Sequence, residues 1–396
     1  MALCSFSPQG ESSVPVRLNE TLTNQMSDIP ELAPMDAVID SFRQAWNVKG
    51  LTLAVMRNDS LLYAKGYGWA DIDNLEPTTP GTTMRLASVS KLLTAIAIME
   101  LIEEGRFSLR SPVFGPFGVL KGYDDVIQDD RHFLITVEHL LRHESGLYSG
   151  GSDPMFEKYS IMRTLGLNQL PDQEQLSRYL LAQTMDFDPG TSRRYSNFGY
   201  LLLGMIIEQQ TGKRYADYMQ EEIFQPNGCF GFAIAGNYIS ERRPGETIYY
   251  PQNYNSRYGS PCYSGDIRGL GGGGAWTGSA PELARLVATI DGRGPIKDIL
   301  SKETLDRMAL QEGDDGYPLG WIDSRKGVLT RSGTLHGTST IIRLYPDGEC
   351  WVMLSNTSTS LGSRFSLEMG SLFANLRSRY GNLFPARDMF SGRSGR

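Results

Sequence analysis

The sequence predicts an α+β fold: an antiparallel sheet flanked by terminal helices, plus a mostly helical lobe. Three observations carry that expectation. Strand-like runs lie towards both ends of the chain, at 51–67 and 338–355, and each has a helical stretch beside it, at 35–46 and 368–379. The apolar helical segments at 86–105 and 199–210 fall between them. Pairing the two ends into one sheet buries both strand runs under the terminal helices and leaves the middle as a separate lobe. A site would then lie in the cleft between the two parts.

Taken in order, residues 1–30 are polar and rich in Ser, Asn and Pro, and read as a tail or lead-in. Met35, Val38, Ile39, Phe42 and Trp46 recur at helical spacing, so Met35–Trp46 is an amphipathic helix. Leu51–Met56 and Leu61–Tyr67 flank a turn at Arg57–Ser60, the pattern of a hairpin. An apolar helix follows from Ser88, and a short one over Val137–Leu141 leads into the loop HESGL. Pro189–Gly190 interrupts the chain before the second apolar helix, Gly199–Gln210, which stops at Gly212. Cys229–Gly274 is loop-like and ends in a glycine run that lacks phosphate-loop spacing. Pro281–Ile290 is helical, Thr338–Tyr345 and Cys350–Ser355 are strands around a Pro346-Asp347-Gly348 turn, and Glu368–Arg379 closes as a helix. Residues 31–390 then form one domain, with its α/β part at about 31–80 and 275–390 and its helical lobe at about 81–274.

Composition narrows the function. With 396 residues, 40% hydrophobic and 21% charged, the chain has ample material for a core. Its net charge of −7 leaves no basic stripe to neutralise phosphates, so no nucleic-acid partner is expected. No apolar run reaches the roughly 18 residues of a transmembrane helix, and no intact signal peptide opens the sequence. The four cysteines and four histidines show no metal-ligand spacing, so no metal site is expected. Cys229 and Cys262 are expected as free buried thiols rather than a bridge.

Chemistry enters at LASVSKLLTAIAIMELIEEG, residues 86–105. A helix this apolar belongs in a core, yet it opens with Ser88, Ser90 and Lys91. Read blandly, a serine caps the helix and the lysine reaches water. Read chemically, Ser88 and Lys91 stand three apart on one helix face, a nucleophile with a basic partner. The nearby N-terminal amides can then stabilise an oxyanion. Tyr195-Ser196-Asn197 supplies a phenol that a lysine ammonium could acidify into a base, and an amide able to meet a substrate carbonyl. The alternative is that Tyr195 packs and Asn197 caps a turn, as a second Tyr-x-Asn at Tyr380–Asn382 cautions. Arg331-Ser332-Gly333 places a cation, a hydroxyl and a glycine where an edge strand could pair with an extended substrate; Arg393-Ser394-Gly395 repeats it in the tail.

The flanks of these motifs resemble the serine β-lactamase-like superfamily, which embraces class C β-lactamases, DD-carboxypeptidases, D-aminopeptidases and related carboxylesterases. The resemblance rests on Ser88-Val89-Ser90-Lys91, on HLLRHESGL at 139–147 and on PGTSRRYSNFGYLLLG at 189–204. GTLHGTSTIIRLYPDG and LSN at 354–356 extend it to the closing strands, so that it covers roughly Met35 to Ala374. It implies a β-lactamase/penicillin-binding transpeptidase-like fold. Ser88 would be the nucleophile, Lys91 its activating partner and Tyr195 the general base, with Asn197 orienting substrate and ammonium. Counting back six from Gly337 puts Arg331-Ser332-Gly333, rather than His336-Gly337-Thr338, in the third motif's slot. The oxyanion hole would be the N–H groups of Ser88 and Thr334.

The resemblance further implies an acyl-enzyme, no cofactor, a small-molecule or peptide substrate and a periplasmic or secreted location; the sequence leaves oligomeric state open. A DD-peptidase or D-aminopeptidase activity comes first, then a carboxylesterase, a β-lactamase and a non-catalytic sensor. Arginine at 331 departs from the family's common lysine or histidine, and is expected to grip a substrate carboxylate through paired hydrogen bonds.

Overall fold

The computed structural model describes residues 16–252, 261–310 and 316–391. Of the stretch read as a lead-in, residues 16–30 are packed rather than trailing. Leu18–Thr21 and Asn24–Ser27 are short helical turns, Leu18 and Leu22 enter the core, and Ser27 Oγ donates to Ala64 O at 2.8 Å. Polar composition concealed these contacts because their partners lie far away in sequence.

Six strands build the main sheet: β1 (Gly50–Arg57), β2 (Ser60–Asp71), β3 (Glu76–Pro77), β7 (Leu329–Leu335), β8 (Thr338–Leu344) and β9 (Glu349–Ser355). A small second sheet joins β4 (Met84–Arg85), β5 (Ala233–Ile234) and β6 (Trp276–Gly278). The β1–β2 hairpin turns at Asn58 and Asp59, both left-handed at φ 46° and 62°, which matches the twist of the strands it joins. The main sheet runs β3-β2-β1-β9-β8-β7, and all its pairings are antiparallel. The two ends of the chain therefore meet at β1 and β9, in register from Leu51 opposite Ser355 to Arg57 opposite Glu349.

Alternation along the strands feeds two cores. Leu51, Leu53, Val55, Trp351 and Met353 face α1 (Ala33–Ala45), while Ala54, Met56, Val352 and Leu354 face inward to the helical part. Those inward residues share a core with α2 (Ser90–Glu103), α4 (Asn197–Thr211) and α5 (Ala280–Val287), and with the five-residue α3 (Val137–Leu141). The closing helix α6 (Phe365–Tyr380) joins α1 on the outer face, where Phe42 stacks on Phe365 with ring centroids 5.7 Å apart. Every residue of α2 from Ser90 to Met99 is buried, as an apolar periphery on all sides requires. Ser196 caps α4 by accepting from Gly199 N–H at 3.0 Å, and Gly212 ends it at φ 71°.

Helices at Lys158–Thr164 and Gln173–Leu181, which the sequence reading left unassigned, complete the middle of the chain. Cys229 and Cys350 are buried free thiols, so Cys229 is not bridged to Cys262, which is also buried; Cys4 lies outside the described residues. Among the described residues no helix is long and apolar enough to cross a membrane.

Asn356, just past β9, ties the sheet to the loop behind it. Its Oδ1 accepts from Gly50 N–H at 2.7 Å, and its Nδ2 donates to Trp69 O at 3.0 Å and Thr247 Oγ1 at 2.7 Å. Gly50 must be glycine there, because a Cβ would fall 2.3 Å from Trp69 O. Asn356→Ala leaves several buried groups without partners, so urea denaturation should show a loss of about 2–5 kcal/mol.

Candidate active site

Ser88 sits one turn ahead of α2, in a 3-10 turn over Ala87–Val89, so the helix proper starts two residues later than the sequence suggested. Ala87 holds φ 49°, a left-handed conformation that is strained for a residue with a Cβ and fixes the approach to the turn. Ser90 points away from Ser88 and accepts from Trp276 N–H at 3.2 Å. Lys91 is fully buried. Its Nζ donates to Ser88 Oγ at 3.3 Å, and also to Asn197 Oδ1 and Gly273 O.

The loop before α4 brings Tyr195 and Asn197 to this ammonium. Asn197 Nδ2 donates to Asp153 Oδ2, which leaves its Oδ1 for Lys91 and so settles the orientation of the amide. Tyr195 lies with its ring centroid 4.3 Å from that of His143, whose Nδ1 accepts from Ser196 N–H at 3.1 Å. Arg194 N–H donates to His143 O at 2.9 Å, so HESGL and the Tyr195 loop are fastened together. Burial, reinforced by the Lys91 and Arg331 cations, pushes His143 well below its ordinary pKa and keeps it neutral.

On the opposite wall β7 is the edge strand of the sheet and carries Arg331, Ser332, Gly333 and Thr334. Gly333 allows a very close approach: a Cβ there would lie 2.5 Å from Leu86 O and 2.7 Å from Ser88 N. Arg331 is only 1% exposed and turns inward. Its Nε donates to Ser88 O at 2.8 Å and its Nη2 to Tyr195 OH at 3.0 Å, while Nη1 is buried without a partner. The guanidinium expected to reach for a substrate carboxylate is thus engaged with the Ser88 turn and the phenol.

Ser88, Tyr195, Asn197, Arg331, Ser332, Gly333 and Thr334 line one cavity of about 350 Å³, with Lys91 immediately beneath. Tyr380 lies instead in the outer apolar layer, and Arg393-Ser394-Gly395 falls outside the described residues. The sequence reading missed three contributors: Asp153, His143 and the carbonyl of Gly273. His143 stood within the HESGL segment, but nothing in the sequence paired Asp153 with Asn197 across 44 residues. The glycine run carried a legible signal of close backbone approach, since a Cβ at Gly272 would lie 2.6 Å from Tyr200 O.

Two cations beside one phenol dominate the electrostatics. Burial alone would raise the Tyr195 pKa, but Lys91 and Arg331 outweigh it and bring it down to about 8. Burial likewise lowers Lys91; the neighbouring phenol pulls it back up and Arg331 pushes it further down. The phenol of Tyr195 is therefore more acidic than an ordinary tyrosine's, beside Ser88 and Lys91.

Comparison with known proteins gives the family of the chain. The family model described as Beta-lactamase matches residues 35–374, and the chain belongs to that family of β-lactamase-related serine hydrolases. It is 26% identical over 334 residues to a penicillin-binding protein of Bacillus subtilis, covering 79% of this chain and 69% of that one. It is 30% identical over 199 residues to esterase EstB of Burkholderia gladioli, where the match spans half of each protein. The D-amino acid amidase of Ochrobactrum anthropi SV3 shares the fold, with a TM-score of 0.68 and 19% identity over 88% of this chain and 99% of that one.

The charge arrangement is directly measurable. Ultraviolet difference spectra against pH should show one phenol ionising near pH 8. That transition should be missing in Tyr195→Phe and retained in Tyr380→Phe.

Proposed function

We propose that the protein hydrolyses an ester or amide through an acyl-enzyme on Ser88, and the observation that carries this reading is the cluster of Ser88, Lys91 and Tyr195, with Arg331 as a second cation on the phenol. Tyr195, as phenolate, takes the proton from Ser88 Oγ as the oxygen attacks the substrate carbonyl carbon. The oxyanion is held by the N–H groups of Ser88 and Thr334, on two segments that Gly333 lets meet. Collapse breaks the carbonyl bond to the alcohol or amine, which leaves with the proton from Tyr195. Water, deprotonated by the same phenolate, then attacks the acyl carbon; the bond to Ser88 Oγ breaks, Tyr195 returns the proton to that oxygen, and the carboxylic acid is released. Asn197 holds the Lys91 ammonium in place and keeps its charge close to the phenol.

The inward Arg331 favours a neutral acyl donor over a peptide bearing a free carboxylate, so the esterase reading moves ahead of the DD-peptidase and D-aminopeptidase readings. The similarity to esterase EstB supports the same order.

Fluorophosphonate labelling followed by mass spectrometry should place an adduct on Ser88, and Ser88→Ala should abolish both adduct and turnover. Ser90→Ala should still be labelled but lose about 1–2 kcal/mol of stability, because it leaves the buried Trp276 N–H unpaired. An adduct on Ser90 instead would sink the assignment.

Removing Arg331 also discriminates between its two possible uses. Arg331→Ala takes a cation from beside Tyr195, so the phenol's pKa should rise from about 8 and the activity that depends on phenolate should shift to higher pH. kcat/KM at pH 7.5 should fall roughly 10–100-fold for a neutral and a carboxylate-bearing substrate alike. A loss confined to the carboxylate-bearing substrate would restore the gripping role.

A further inference from the structure

A second and larger cavity, of about 780 Å³, adjoins the one that contains Ser88. The two share Phe156, Thr334 and Leu335, so β7 runs from beside Ser88 straight into it. Its lining is mainly apolar: Met155 and Ile267 are buried in the wall and Leu335 is half-buried. Phe156 and Tyr159 are 57% and 53% exposed, two large aromatic side chains left in water on neighbouring short helices. Together with the apolar wall they give the cleft a surface suited to an apolar ligand.

Charge complementarity points the same way. Among the described residues lining the two cavities, the permanent cations are Arg331 and Lys158. Arg331 is bound to Ser88 O and Tyr195 OH, and Lys158 Nζ is bound to Asp266 Oδ2 at 2.6 Å and Gly269 O at 3.2 Å. Asp266, in turn, is neutralised by Lys158, which with Asn237 holds its carboxyl below the usual range against the opposing effect of burial. His336 is exposed at the rim. Among the described residues, the lining of the larger cavity therefore offers apolar contact area, and its one ammonium is paired with Asp266.

We propose that this cavity holds an apolar substituent, a medium-length alkyl chain or an aryl group, of a neutral ester or amide substrate. Phe156, Tyr159 and Leu335 are then specificity-determining residues. The inference rests on Ser88-dependent hydrolysis and adds the substrate class. The substituent belongs to either the acyl or the alcohol half of the substrate, and the chemistry that recognises it is the same.

The test measures kcat/KM for two ester series with purified protein. One lengthens the acyl chain of p-nitrophenyl esters from acetate to octanoate. The other lengthens the alcohol of alkyl acetates, followed by pH-stat. One series should climb about three- to fourfold per added methylene until the cavity is filled, which identifies the half that enters it. The chain-matched ester ending in a carboxylate should be at least tenfold poorer than its neutral counterpart. Phe156→Ala and Tyr159→Ala, both at exposed positions, should each lower the long-to-short ratio of kcat/KM by at least fivefold.

Two flat or falling series, or a preference for the carboxylate-ended ester, overturns the inference while fluorophosphonate labelling of Ser88 preserves the hydrolase reading. Absence of both labelling and ester turnover brings down both.

Discussion

Everything at the site follows from burying one ammonium. Lys91 lies on a helix that is apolar on all sides, and a charged group taken out of water is tolerated only where its donors are fully satisfied. Ser88, Asn197 and Gly273 supply the acceptors, and they come from three separate segments of chain. That requirement draws the start of α2, the start of α4 and the glycine run to one point. The glycines are needed because their backbone must pass within contact distance of α4, and a side chain at Gly272 or Gly273 would meet the carbonyls of Tyr200 or Asn197.

Around that point the structure limits motion. His143 supports the Tyr195 ring from behind and receives the Ser196 N–H, and its neutral state is what makes Nδ1 available as an acceptor. Asp153 fixes the Asn197 amide from the far side. Arg331 pins the carbonyl of Ser88 and the phenol of Tyr195 with one planar group, which a lysine's single nitrogen would reproduce less rigidly. These groups are thus held in place without a ligand, the condition under which fixed dipoles are most effective.

Much of this was legible in the sequence, for reasons that differ by element. The hairpin, the closing strands and the apolar helices announced themselves by period, because each buries a face whose spacing is fixed by backbone geometry. Ser88, Lys91, Tyr195 and Asn197 were legible because their spacing and flanks form motifs. Leu18 and Leu22 were obscured by polar neighbours, since two apolar residues make no periodic signal. Asp153 was hidden for a different reason: its partner is distant in sequence, and a lone acid in a loop looks like any solvated charge. Arg331 was found, but the direction of its side chain was not. A strand position fixes which face a residue occupies and says nothing of whether a long side chain reaches outward for a ligand or inward for a carbonyl.

That direction has a consequence for the substrate. Lys91 and Arg331 both stand beside Tyr195, and it is their charge that brings the phenol's pKa down to about 8 against the effect of burial. A substrate carboxylate drawn into the same pocket would compete for those cations and place a like charge near the phenolate, which raises a pKa rather than lowering it. Binding energy gained from the carboxylate would then be offset by a weaker base. A neutral substrate held by apolar contact incurs no such penalty. On the proposal made above, its recognition would fall to the adjoining cavity, where burying alkyl or aryl surface is favourable without touching the proton balance beside Ser88. On the proposed function, an inward arginine and a neighbouring cavity whose described ammonium is paired with a carboxylate would be two halves of one arrangement: the first would reserve positive charge for the phenol of Tyr195, and the second would leave selectivity to hydrophobic fit.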